Sequence, residues 1–300
     1  MFTRRLSHHG RNWLAVTGAV LALAAVIALP GQFASASNVP TKRAGLTSFG
    51  WHDGVKPTIV LEHGAWADSS SWNGEVTLLE SQGFTVDVPP NPLRSLSGDS
   101  AYLASYLATI TGPIILVGHS YGGAVITNAA TTYPNVKALV YVDAFLPAQG
   151  ESISQLVGPN SCLAGSTVDP HQVFNFAQDP SLPPGDYDAY AKTEATPLYP
   201  GFGQCFAGGF PAYQVGQLAA TQRPITLGAI TEPSGAPAWK TIPSWDLIGT
   251  QDQLIPESQQ LIMAERAGSD ISYFNAPHLG LISQPWAVVR VIDQAIRTAG

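Results

Sequence analysis

The chain alternates short, dense apolar runs with amphipathic stretches, and that rhythm predicts a sheet layered between helices. Residues 58–61, 114–117, 136–142 and 244–248 are apolar almost throughout, the pattern of parallel strands buried on both faces. Residues 84–88 and 271–274 predict two further strands, the first stopped by Pro89, Pro90 and Pro92. Helical spacing appears over residues 72–82, with Ser70 or Ser71 as the cap. It returns over residues 99–110, where Tyr102, Leu103, Tyr106, Leu107 and Ile110 form the expected core face. Further helices are expected from 124 to about 132, ended by Pro134, over 257–267, and from 285 to about 297. Strand–helix alternation of this kind gives an α/β fold class with a mostly parallel, doubly wound sheet.

The rhythm fails in two places. Residues 1–36 hold Arg4, Arg5 and Arg11, then an apolar run over 13–29, then Ala34-Ser35-Ala36. A basic start, an apolar stretch and an A-x-A site predict a secretory signal peptide cut after Ala36. The expected location is secreted or extracytoplasmic, with no stable membrane association after the cut. The alternative is an uncleaved membrane anchor, because the apolar run is long for a signal. Residues 37–56 read as a loose, polar lead-in, and residues 57–300 as the folded domain. Within that domain, residues 145–242 are rich in proline, glycine and aromatic residues and break the strand–helix order. They predict an inserted cap over the carboxyl ends of the strands. Its rings, from Phe174 and Phe176 to Phe210 and Tyr213, either roof an apolar pocket or pack the cap's own small core.

Composition narrows the functional classes. Hydrophobic residues make up 45% and charged residues 12%, enough apolar material for a sizeable core. The formal net charge is −7, and the first 36 residues carry arginines but no acid, so the remainder is more acidic still. Such a surface repels nucleic acid and anionic lipid. The two cysteines, Cys162 and Cys205, form a disulfide in an exported chain or stay as two buried thiols. Neither C-x-x-C nor H-E-x-x-H occurs and the histidines are scattered, so no metal is expected.

The candidate chemistry centres on Gly118-His119-Ser120-Tyr121-Gly122, set between an apolar strand and a helix. Gly-x-Ser-x-Gly in that context is the pattern of a nucleophile elbow: a serine on a strained turn at a helix N-terminus. Two later strand ends carry Asp252 and His278. In a parallel sheet these loops emerge on one side, so Ser120, Asp252 and His278 can converge as nucleophile, orienting acid and base. Asp143, which also ends a strand, is the rival acid; otherwise it sits behind the site or hinges the cap. His63-Gly64-Ala65-Trp66 follows the first strand, where Gly64 lets the backbone turn an N–H of Ala65 toward an oxyanion. His63 reads as structural. Trp66, Leu254 and Leu279, apolar neighbours of these loops, are candidate substrate contacts, with Trp66 either lining the acyl pocket or simply packing.

From residue 57 onward the chain resembles the α/β-hydrolase superfamily, in its small-esterase and hydroxynitrile-lyase-like branch. The residues that carry the resemblance are His63-Gly64-Ala65-Trp66, Gly118-His119-Ser120-Tyr121-Gly122-Gly123, Tyr141-Val142-Asp143-Ala144-Phe145, Gly249-Thr250-Gln251-Asp252 and Pro277-His278. It implies the α/β-hydrolase fold with an inserted cap, oxyanion donors from the Ala65 and Tyr121 N–H groups, and no cofactor. The expected activity is serine-dependent hydrolysis of small-molecule carboxylic esters, and the apolar, aromatic-rich cap, not the resemblance, points to small to medium, largely apolar acids. A lyase or C–C bond hydrolase on the same triad, or a non-catalytic binding module, are the alternatives. The lysine that plant-type hydroxynitrile lyases keep soon after the histidine has no counterpart here, where Leu279 and Gly280 follow His278.

Overall fold

Six strands meet in one parallel sheet in the computed structural model, which describes residues 54–299. The expected signal peptide and most of the lead-in lie outside the described residues. The strands are β1 (Thr58–Glu62), β2 (Thr85–Asp87), β3 (Ile114–His119), β4 (Val136–Val142), β8 (Ser244–Gly249) and β9 (Asp270–Phe274), with β5 to β7 in the cap. Their order is β2-β1-β3-β4-β8-β9, and every pairing is parallel. The chain steps outward from β1 to β2, then returns past β1 to β3. The winding therefore reverses between β1 and β3, and a crevice opens at their carboxyl ends.

Every residue of β3 and β8 is buried, which explains their unbroken apolar runs. Helices cover both faces. α1 (Asn73–Ser81) packs beside the closing helix Pro285–Ala299, while α2 (Leu96–Leu107) packs on α3 (Tyr121–Ala129). No described helix is long and apolar enough to cross a membrane.

Two local expectations are corrected. The Asp68 side chain, not Ser70 or Ser71, accepts the Ser70 N–H and caps a short 3-10 turn, Ser69–Trp72, ahead of α1. In α2 the buried face runs through Leu96, Asp99, Ser100, Leu103 and Leu107, leaving Tyr102 43% exposed. Ser95 caps this helix, so it starts earlier than the apolar pattern suggests.

Between β4 and β8 lies a three-stranded antiparallel sheet, β5 (Phe174–Ala177), β6 (Asp188–Ala191) and β7 (Ile225–Thr226), with several short helices. Hydrogen bonds tie it to the segment before α2: Thr226 N–H donates to Leu93 O at 3.1 Å, and Arg94 pairs with Asp188 at 2.6 Å. Cys162 and Cys205 are joined in a disulfide.

Candidate active site

Ser120 sits between the last residue of β3 and the first of α3 with φ 54° and ψ −124°. A non-glycine residue at positive φ costs about 1–3 kcal/mol, so the surroundings must enforce it. They do so from both sides. Ser120 N–H donates to Val142 O at 3.3 Å, and Ser120 O accepts the N–H groups of Gly123 and Phe145. Close approach also demands glycine at two flanking positions. A Cβ on Gly122 would lie 2.5 Å from Glu62 O, and one on Gly64 would lie 2.7 Å from the Ser120 Cβ.

His278, in the turn after β9, places Nε2 2.9 Å from Ser120 Oγ and Nδ1 2.8 Å from Asp252 Oδ2. All three residues are buried. An Nδ1–H donated to the carboxylate leaves Nε2 free to accept the serine O–H, the arrangement in which a hydroxyl can be activated. Asp252 is itself held: Oδ1 accepts the Leu254 and Ile255 N–H groups at 2.8 and 2.9 Å, and Oδ2 accepts Gln260 Nε2 at 2.9 Å.

Asp143, the rival acid, does not bond to His278. Its Oδ1 accepts the Gly249 N–H at 2.6 Å, and Oδ2 is buried without a partner among the described residues. Burial, with the Asp252 carboxylate nearby, pushes its pKa well above the usual carboxylate range.

Two residues without an assigned part in the sequence reading support this arrangement. His119 donates Nε2–H to the carbonyl of His278 at 2.9 Å, and burial followed by the nearby His278 holds its pKa well below 6.5. Gln260 secures Asp252; the sequence signal is a polar residue one turn before Met263 and Ala264 on a buried helix face. His63 is structural: Nδ1–H donates to Gly64 O at 2.9 Å, Nε2 accepts the Asn91 N–H at 3.0 Å, and burial lowers its pKa to about 4.

Ala65 and Tyr121 line the same cavity as Ser120, about 260 Å³ in volume, with Trp66, Val157, Phe174 and Leu254. Tyr121 opens α3, so its N–H belongs to the first turn, where intrahelical acceptors are lacking. A second cavity of about 150 Å³ shares Ala65 and Trp66 and adds Phe202, Phe206, Leu218 and Leu279. Of the three residues expected as substrate contacts, Trp66 and Leu254 line the cavity that holds Ser120, whereas Leu279 lines only the smaller one, which none of the triad residues lines. Among the described residues no cluster of His, Cys, Asp and Glu has the makings of a metal site.

The sequence pattern of the Alpha/beta hydrolase family matches residues 59–291. A carbendazim hydrolyzing esterase of Nocardioides sp. (strain SG-4G) is 35% identical over 111 residues, 33% of this chain and 46% of that relative. The chain thus spans less than half the length of that relative. The alpha/beta hydrolase nvfD of Aspergillus novofumigatus is 25% identical over 80% of this chain and 97% of its own. Among solved structures, a pyrethroid hydrolase from Sphingobium faniae JZ-2 superposes with a TM-score of 0.63 at 21% identity, covering 82% of this chain and 99% of that one.

Proposed function

The chain belongs to the alpha/beta hydrolase family, and on that premise we propose that it is a serine esterase acting on carboxylic esters of small to medium, largely apolar molecules. The observation that carries the reading is the continuous chain Asp252 Oδ2···Nδ1 His278 Nε2···Oγ Ser120, at 2.8 and 2.9 Å. Ser120 Oγ attacks the ester carbonyl while His278 Nε2 takes its proton. Asp252 fixes the imidazole tautomer and stabilises the cation that forms. The Ala65 and Tyr121 N–H groups receive the oxyanion, each contributing about 3 kcal/mol. His278 then returns the proton to the leaving alcohol, and water cleaves the acyl-enzyme by the same route. A relative named as an esterase and a structural neighbour named as a hydrolase support the reaction class. The apolar cavity walls support the substrate polarity.

Export is part of the proposal. Its support is the leader-like pattern of residues 1–36 and the Cys162–Cys205 bond, a linkage that persists in oxidising compartments.

Hydrolysis of p-nitrophenyl esters, with Ser120→Ala as control and fluorophosphonate labelling as a second readout, tests the reading. Wild type should turn over esters and label at Ser120, and the variant should do neither. Ester hydrolysis undiminished in Ser120→Ala would overturn it.

A further inference from the structure

We propose that His63 and Asn91 are positioning residues of the oxyanion hole: the His63 ring, held by Asn91, aims the Ala65 N–H at the oxygen of the reacting carbonyl. This rests on the esterase reading and extends it to two residues that act through a peptide group.

The mount is stiff by sequence. Pro90 and Pro92 flank Asn91. Each proline ring fixes its own φ, and Pro92 confines the residue before it to extended backbone. Beyond Pro92 the chain is bonded to the cap. Leu93, fully buried with φ 61°, accepts the Thr226 N–H on its carbonyl at 3.1 Å. Arg94 O accepts the Thr226 hydroxyl at 2.7 Å. Asn91 is thus held between a proline on one side and the cap on the other.

Asn91 in turn holds His63 twice. Its Nδ2 donates to His63 O at 3.0 Å, and its backbone N–H donates to His63 Nε2 at 3.0 Å. The second bond selects a tautomer. A ring nitrogen that accepts carries no proton, so in neutral imidazole the proton sits on Nδ1. Burial lowers the His63 pKa to about 4, so the ring is neutral at pH 7. Nδ1–H then donates to Gly64 O at 2.9 Å.

That carbonyl belongs to the same peptide group as the Ala65 N–H. In a trans peptide the C=O and the N–H point in opposite directions. A ring that pins Gly64 O therefore sets the direction of the Ala65 N–H, away from itself. Donation to the carbonyl also polarises the peptide and strengthens its N–H as a donor. No backbone carbonyl among the described residues accepts the Ala65 N–H, and Ala65 lines the cavity that holds Ser120. Gly64 abuts the nucleophile, since a Cβ there would lie 2.7 Å from the Ser120 Cβ. In the acylation step the Ser120 Oγ–carbon bond forms and the carbonyl π pair moves onto oxygen. The serine proton goes to His278 Nε2. Charge then develops on the oxygen, where a preset donor counts most.

The test compares wild type, His63→Phe, His63→Asn and Asn91→Ala, each assayed well below its own Tm. Asparagine keeps a donor near the Nδ1 position, whereas phenylalanine keeps a ring and loses the donor. Two inhibitors accompany the kinetics. An alkyl trifluoromethyl ketone adds to Ser120 and becomes an oxyanion; the matching carbinol does not. His63→Phe should lower kcat at least tenfold, toward the ~10²-fold cost of losing one oxyanion donor, with KM within about threefold. Ketone binding should weaken by the factor that kcat loses, with carbinol binding within about twofold of wild type. His63→Asn should recover most of both losses. Asn91→Ala should show the same split at about fivefold, and it keeps the test open should His63→Phe not fold. Ketone and carbinol weakened alike, or kcat unchanged in the variants, overturns the positioning role while ester turnover by wild type keeps the esterase reading. No turnover of any ester by a cooperatively folded wild type removes the esterase reading, and the positioning role with it.

Discussion

Leu279 N–H donates to the carbonyl of Phe206 at 3.0 Å, and this one bond joins the residue after His278 to the residue after Cys205. The other end of the disulfide makes a matching contact: Cys162 N–H donates to Gln253 O at 2.7 Å, beside Asp252. Neighbouring Ser161 Oγ donates to Leu254 O. The disulfide thus spans the cap between the turn that carries the acid and the turn that carries the histidine.

Breaking that bond should act on turnover as well as on stability. Across a sequence separation of 43 residues the link is worth about 4 kcal/mol by chain entropy. Reduction, or the Cys162→Ser/Cys205→Ser pair, should lower Tm by several degrees and kcat about tenfold, with KM moving less. Turnover measured well below the lowered Tm separates the two effects. A fall in Tm with kcat intact would mean the disulfide serves the cap alone.

Asp143 and Asp252 should respond differently to the same substitution. Asp252 touches His278, so Asp252→Asn should cost about 10³–10⁴ in kcat by losing the tautomer and the charge. Burial and the nearby Asp252 carboxylate favour the neutral form of the Asp143 carboxyl, and a neutral amide is close to that form in shape and charge. Asp143→Asn should therefore keep kcat within about threefold, a span of under ~1 kcal/mol. Steady-state kinetics of both variants check this, and collapse of the Asp143 variant alone would exchange the two roles.

Much of this was readable from the chain because parallel strands end on one side of their sheet. Ser120, Asp252 and His278 each follow a strand with an unmistakable apolar run or a short, well-bounded one, so their convergence is a property of topology. Features that depend on distant contacts were not readable. The α2 face departs from its apolar pattern at Tyr102 because a polar residue, Asp99, turns inward. Its carboxylate accepts the Tyr121 hydroxyl at 2.9 Å, a pairing across two helices that no apolar count reveals. Trp66 reads as an apolar residue near the site, but what fixes its ring comes from Phe174, Ala189 and Phe206, all more than a hundred residues away.

Gly64 admits no side chain. The added Cβ of Gly64→Ala would also lie 3.0 Å from His119 O, so the strand ends or the elbow must shift. The variant should lose at least 1 kcal/mol or so of stability and label with fluorophosphonate at least tenfold more slowly, because Ala65 follows directly. Labelling at the wild-type rate would show that the turn after β1 moves independently of Ser120.

Glu75 provides a pH test independent of catalysis. It lies in the first turn of α1, fully buried, and neither carboxylate oxygen has a partner among the described residues. Burial raises its pKa to about 8. The unfolded chain releases this proton near pH 4.5, whereas the folded chain holds it to about pH 8. Between those values the folded state binds more protons, so this group's contribution to stability falls as pH rises. His63, whose pKa is lowered to about 4, pulls the other way, but only below about pH 6.5. In the window from 6.5 to 8 other buried carboxyls with raised pKa, Glu62, Asp143 and Asp246, act in the same direction. The difference between wild type and Glu75→Gln is therefore what isolates Glu75, where the loss is about 2 kcal/mol. Urea unfolding of wild type and Glu75→Gln at both pH values checks the sign. The difference between the two proteins should shift in favour of the variant by about that amount at pH 8, because glutamine has no proton to lose. A pH-independent difference would mean that Glu75 is ionised in the folded protein and that a water molecule or a shift of α1 supplies the missing partner.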